Sequence, residues 1–231
     1  MGVIPTCTFI SQGSELTIFG GTIAEGSVCI SLPEREEEFR TLENFSGKTV
    51  ACVRAETGHM LMKSAMRQAG VELEQMDFVE LDGFQSVVEA VMKGTADVGF
   101  VNSGFEQNAY AQGLASPFYV AEYFPDAVCC RQTASRAALE ENREAYERFQ
   151  IANLRAMKTM YDDPKLTIST LSAYSGQTED YVEYCIYDSA MKISMDPARE
   201  RVQEFYQIMK DNGDLDPNTP YDMSDAVDTT I

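Results

Sequence analysis

Two short polar strings have the residue types and placement to hold a small molecule. The first is Ala55-Glu56-Thr57-Gly58-His59, at the start of an amphipathic stretch. Backbone N–H groups without helical partners and the helix dipole favour an anion or a polar acceptor there. The second is Asn102-Ser103-Gly104-Phe105-Glu106, directly after an apolar run. Each has a plainer reading: an N-cap by Thr57 with Glu56 and His59 in solvent, and a capping turn at 102–106. Covalent or metal chemistry has few residues to use. The chain has one His and no CxxC pair, so no set of zinc ligands and no Ser-His-Asp arrangement emerges. Six cysteines are an even number, but Cys29, Cys52, Cys129 and Cys130 sit in apolar, strand-like runs. That favours buried thiols over a disulfide framework, for these four and for Cys7 and Cys185 alike.

The elements that must position these strings run from Gly47 to Val101. Lys48–Val53, Met76–Leu81 and Ala96–Val101 read as strands. A helix from about Gly58 to Ala69 and another from near Gly83 to Gly94 separate them, the second with Phe84, Val87, Val88, Val91 and Met92 at helical spacing. Strand, helix, strand, helix, strand at these spacings predicts right-handed crossovers and a mainly parallel sheet, an α/β class. Ligands of such sheets bind beyond the carboxyl ends of the strands. That rule selects Arg54–His59, Asp82 with Gly83, and Asn102–Glu106. Upstream, Leu16–Gly20 and Ser27–Leu32 are strand-like and Pro33–Arg40 reads as a solvated charged connector. Downstream, two apolar stretches lie within Pro117–Arg131. Amphipathic helices are expected at about 137–161, 164–175, 178–190 and 196–212, before a loosely ordered tail.

Composition narrows the function. The chain has 231 residues, 44% hydrophobic and 24% charged, with 18 Lys plus Arg against 37 Asp plus Glu and a net charge of -19. This is globular composition. The charge disfavours nucleic acid and an anionic membrane surface. No apolar run approaches a transmembrane length, and no signal peptide is apparent. Gly47-Lys48-Thr49 imitates the end of a phosphate-binding loop, but Leu42 stands where its first Gly belongs and the string precedes a strand. The myristoylation-like Met1-Gly2 start, the Asn44-Phe45-Ser46 glycosylation pattern and the run Met60, Met62, Met66 are read as chance or packing.

Leu42–Ala51 resembles the "dL-kGKkia" opening of the second lobe in solute-binding proteins of ABC importers. Val88–Gly99 resembles their "al-sGevDag" helix-to-strand signature, and Ala127–Arg131 followed by Glu140–Glu144 resembles their return strand and helix. The chain is thereby similar to the nitrate, sulfonate, taurine and pyrimidine-precursor branch, from Gly2 to about Gly213. The resemblance implies a two-lobed type 2 periplasmic-binding-protein fold with helices on both sheet faces. Lobe one would be 1–30 with 126–231 and lobe two 31–125, with hinges near Val28–Leu32 and Tyr119–Val128. Met1–Thr6 resembles a "-G--P" turn of lobe one in mid-domain, which implies a missing N-terminus, an incomplete lobe one and poor stability alone.

The resemblance places ligand contacts on Pro5 and Thr6, on Thr22, Glu25 and Ser27, on Glu56, Thr57, Gly58 and His59, on Asn102, Ser103, Phe105 and Glu106, and on Tyr119. It implies capture between lobes without chemistry, no cofactor or metal, an importer permease as partner, and a periplasmic or lipid-anchored location for the full-length protein. The ligand would be a sulfonate, a nitrate-like anion or a pyrimidine-like heterocycle. Glu56 would repel an oxyanion, which favours a neutral, nitrogen-rich solute with Phe105 or Tyr119 as a stacking surface. Two other classes share the fold: an enzyme building the thiamine pyrimidine, and the effector-sensing half of transcription regulators.

Overall fold

A computed structural model describes residues 1–24, 26–219 and 222–231. In chain order it contains α1 (Val3–Ser11), β1 (Leu16–Ala24), β2 (Ser27–Ser31), α2 (Glu36–Phe39), β3 (Thr49–Val53), α3 (Thr57–Gln68), β4 (Asp77–Leu81), α4 (Phe84–Met92), β5 (Val98–Asn102) and α5 (Glu106–Ala111). Then follow β6 (Val128–Ser135), α6 (Arg136–Glu141), α7 (Arg143–Asp162), α8 (Pro164–Ser175), α9 (Glu179–Glu183) and α10 (Arg199–Asp211). The chain divides into two compact units: Met1–Ala24, Val128–Tyr206 and Asn218–Ile231 form unit 1, and Glu25–Ala127 with Gln207–Pro217 form unit 2.

In unit 2 the sheet order is β2-β5-β3-β4. β3 runs parallel to both β4 and β5, as the two helical crossovers require. β2 pairs antiparallel with β5, so the sheet is mixed rather than wholly parallel. Val87, Val88 and Val91 of α4 pack on Val28, Ile30, Ala51 and Val101 to make the core. That packing is close: a Cβ on Gly99 of β5 would lie 2.5 Å from Val87 Cγ1. α3 ends where Gly70 takes a φ of +83° and Val71 N–H donates to Met66 O, a left-handed stop that favours glycine. The charged stretch Pro33–Arg40 is more than a solvated connector. Phe39 is fully buried against Phe45, and Arg35 pairs with Glu38 and Asp97, which folds the segment into a turn and α2.

In unit 1 β1 and β6 form an antiparallel pair with register shifts. β1 extends beyond Gly20 because Gly21 and Ala24 donate to Met195 O and Lys192 O, and Thr22 O accepts from Ser194. Pro5 and Thr6, expected in a turn, lie in the first turns of α1. A proline is tolerated there because its missing N–H would have had no helical partner. The helix expected at 137–161 breaks at Asn142, and the one at 178–190 widens after Glu183. The tail is partly anchored: Met223, Ala226 and Val227 are buried, and Asp228 N–H donates to Ile18 O. Cys7, Cys29 and Cys52 are buried as expected, whereas Cys129, Cys130 and Cys185 are only half-buried.

Candidate functional site

The carboxyl ends of β3 and β5 meet at Ser27. This first residue of β2 sits opposite Asn102 in the ladder, and Ser103 N–H donates to Gly26 O at 2.7 Å. Its hydroxyl donates to Glu56 Oε1. Glu56, not Thr57, caps α3: Oε1 also accepts Gly58 N–H at 2.7 Å, and Oε2 accepts His59 N–H at 2.8 Å with His59 Nδ1 at 3.1 Å. The longer Glu side chain reaches the backbone and the ring together, which a Thr at the next position cannot do. Ala55, with a φ of +56°, turns the chain so that the carboxylate folds back onto the helix. A Cβ on Gly58 would collide with Ser27, so glycine permits the close approach of β2 to α3.

Glu56 and His59 are therefore buried rather than solvated. Burial works against both charges, yet His59 is raised to about 9 by a hydrogen bond to Cys52 and by Glu56. Glu56 is held below the usual carboxylate range by His59 and Ser27 in spite of its burial. The pair is charged and self-compensating. Both carboxylate oxygens are engaged within the protein, so Glu56 has little acceptor capacity left for a ligand. Cys52, His59 and Glu56 have the residue types of a nucleophile, base and orienting acid. Cys52, the penultimate residue of β3, has no exposed surface, however, so the set fastens the helix start to the sheet.

Around this anchor, Asn102 is exposed and Ser103 and Phe105 are half-buried, while Glu106 is fully buried at the start of α5. The Phe105 ring lies 5.6 Å from Phe84, and Tyr119 OH is 3.3 Å from Tyr110 OH. Tyr119 also bridges to Val28. Ser27, Glu56, Thr57, Gly58, His59, Asn102, Ser103, Phe105, Glu106 and Tyr119 thus all fall in unit 2, and Pro5, Thr6 and Thr22 in unit 1. Thr6 is buried with its hydroxyl on Gly2 O, and Thr22 is exposed. Glu25 lies outside the described residues. The contribution of Cys52 is the part missed from sequence, where only its place in an apolar strand was visible. Cavities of about 510 and 340 Å³ in unit 1, lined respectively by residues such as Phe19 with Tyr146 and Arg143 with Asp228, contain none of the candidate residues. Among the described residues no three His, Cys, Asp or Glu side chains converge to hold a metal ion.

The sequence matches the model of the family described as NMT1/THI5 like over residues 6–167, more than half the chain. The chain belongs to this NMT1/THI5-like family. No curated protein matches it. Among solved structures, the periplasmic aliphatic sulphonate binding protein SsuA of Escherichia coli superposes with a TM-score of 0.80 at 16% identity, covering 100% of this chain and 75% of that one. The alkanesulfonate-binding SsuA of Xanthomonas axonopodis pv. citri, bound to MOPS, gives 0.76 at 16% identity, over 99% and 79%. The periplasmic nitrate-binding protein NrtA of Synechocystis PCC 6803 gives 0.75 at 12% identity, over 97% and 69%. At these identities the likeness is one of fold: this NMT1/THI5-like chain has the α/β architecture of periplasmic binding proteins.

Proposed function

We propose that the chain is a solute-binding receptor that captures a small molecule and delivers it to an ABC importer outside the cytoplasmic membrane, in a periplasmic or lipid-anchored form. Family membership and fold support this reading. Among the described residues no helix is long and apolar enough to cross a membrane. The observation that carries it is the arrangement at the strand ends of unit 2, where the buried Glu56–His59 pair fixes the start of α3 beside the turn that follows the exposed Asn102. Capture asks for such a preformed polar rim on a rigid sheet.

The solute is neutral and polar, of the pyrimidine-like kind. Glu56 and His59 cancel one another. Thr57, Gly58, Asn102, Ser103, Phe105 and Tyr119 carry no charge, so an anion would find no compensating cation among them. Asn102 and Ser103 supply donors and acceptors, and Phe105 and Tyr119 supply oriented ring faces. A thermal-shift screen of the purified chain against pyrimidines, alkanesulfonates and nitrate tests the reading. It expects a dose-dependent rise in Tm with a neutral heterocycle, and a rise with the anions alone would refute the solute class.

A further inference from the structure

Two adjacent cysteines on β6 bring their sulfurs together. Consecutive residues of a regular strand point to opposite faces. Here the ladder slips: Ile23 stands opposite Cys130 and Ala24 opposite Val128, leaving Cys129 as the extra residue between them. Such a bulge re-aims side chains along the strand. Cys129 Sγ and Cys130 Sγ lie 3.6 Å apart, and both residues are half-buried, so reagents reach them more readily than Cys7, Cys29 or Cys52. The hydrogen bond from Cys129 lowers Cys130 to about 6 against its partial burial, with Arg131 adding to the effect. A thiolate at neutral pH is the form that binds soft ligands.

The separation of the sulfurs limits what they can hold. A direct disulfide is disfavoured, because neighbouring Cα atoms are about 3.8 Å apart and disulfides span roughly 4.4–6.8 Å. A single bridging atom suits the pair better. With bonds of about 2.3 Å to each sulfur, it would subtend an angle of about 100°, that of a pyramidal or tetrahedral centre. A linear two-coordinate ion would need the sulfurs about 4.6 Å apart. A trivalent organoarsenical is pyramidal, carries its own third substituent and asks the protein for two sulfurs.

We propose that Cys129 and Cys130 form a vicinal-dithiol site for a pyramidal thiophile of the arsenic(III) class. With phenylarsine oxide, the Cys129 S–H bond and the arsenic–oxygen bonding break and two As–S bonds form. The Cys129 proton and one taken from solvent, replacing the proton the Cys130 thiolate has already released, leave with the oxygen as one water, and arsenic keeps its oxidation state. Both cysteines belong to unit 1, and neither is among the residues proposed to touch the solute.

The test is titration of the native chain with phenylarsine oxide, read by thiol counting, intact mass and peptide mapping. One arsenical per chain is expected, with the loss of two titratable thiols and the adduct on the tryptic peptide that ends at Arg131. Cys129→Ser and Cys130→Ser should each weaken uptake roughly 100-fold, because chelation by the second sulfur is lost. No uptake by the wild-type chain, an adduct mapped to Cys7, Cys29, Cys52 or Cys185, or undiminished uptake in Cys130→Ser would each overturn the proposal. Should a serine variant fail to fold, the wild-type peptide map decides by itself.

Discussion

One carboxylate oxygen of Glu56 holds both the backbone and the ring of His59: Oε2 is 2.8 Å from His59 N and 3.1 Å from Nδ1. The other oxygen accepts Ser27 OH and Gly58 N–H. A residue whose type suggests a ligand acceptor is thus an N-cap and half of a buried charge pair. Its charge no longer argues against an anion by repulsion. What disfavours an anion is that the cations at this strand end are already paired, His59 with Glu56 and Arg54 with Glu80.

This pairing gives the chain a pH signature. His59 is raised from 6.5 to about 9, so its contribution is complete below about 6.5 and is lost as the pH rises through 9. Glu56 is lowered from 4.5, so its contribution is present above that value and is lost as the pH falls. Cys52, Ser27 and Glu56 are the groups that face the His59 side chain or its partner. The unfolding free energy of wild type relative to His59→Gln should fall by about 2–3 kcal/mol between pH 7 and 10. Chemical denaturation across that range measures it, and a constant difference would count against the charged pair.

Glu56→Gln keeps the shape but removes the charge and turns an NH2 toward donors. Breaking a buried pair on one side costs about 3–5 kcal/mol, and a loss of roughly 2–4 kcal/mol is expected here because the amide keeps one acceptor oxygen. Urea unfolding checks this. A loss below about 0.5 kcal/mol, the size of an ordinary surface change, would mean that the cap is not anchoring α3.

Much of unit 2 was legible beforehand because its elements carry strong local signals. Phe84, Val87, Val88 and Val91 repeat at helical spacing, and Gly70 and Gly94 mark the stops, so β3 through β5 were placed within two residues and their parallel order followed. The antiparallel β2 was not foreseen. Nothing in Ser27–Ser31 reveals that its partner is a strand some seventy positions later, since long-range pairing is set by the tertiary core. The capping residue was misread for a local reason: Thr is the more usual cap, and the advantage of Glu56 depends on His59 and Ser27, which only the fold assembles. β1 outran its predicted end because residues 192–195 pair with it.

Ala55 holds a left-handed φ of +56° with its side chain exposed. Glycine removes a penalty of about 1–2 kcal/mol for a Cβ in that region, offset by roughly 0.5–1 kcal/mol of extra unfolded-state entropy. Ala55→Gly should therefore stabilise the chain by about 0.5–1 kcal/mol. A lower Tm in this variant would show that the turn is not left-handed in solution.

Gly58→Ala should act in the opposite sense, because the added methyl meets Ser27 and Glu56 Oε1. Overpacking of this kind costs about 1–3 kcal/mol. A combined Gly58→Ala, Ser27→Gly variant, which vacates the space, should recover part of the loss. Equal stability of the single and double variants would place the clash elsewhere.

The most direct measurement is isothermal titration calorimetry of the purified chain against a neutral pyrimidine, an alkanesulfonate and nitrate. Saturable one-to-one binding of the pyrimidine is expected, weakened about tenfold by Asn102→Ala through the loss of one hydrogen-bonding group, worth about 1.4 kcal/mol. Tight binding of the sulfonate or nitrate with no heat from the pyrimidine, unchanged by Asn102→Ala, would contradict it.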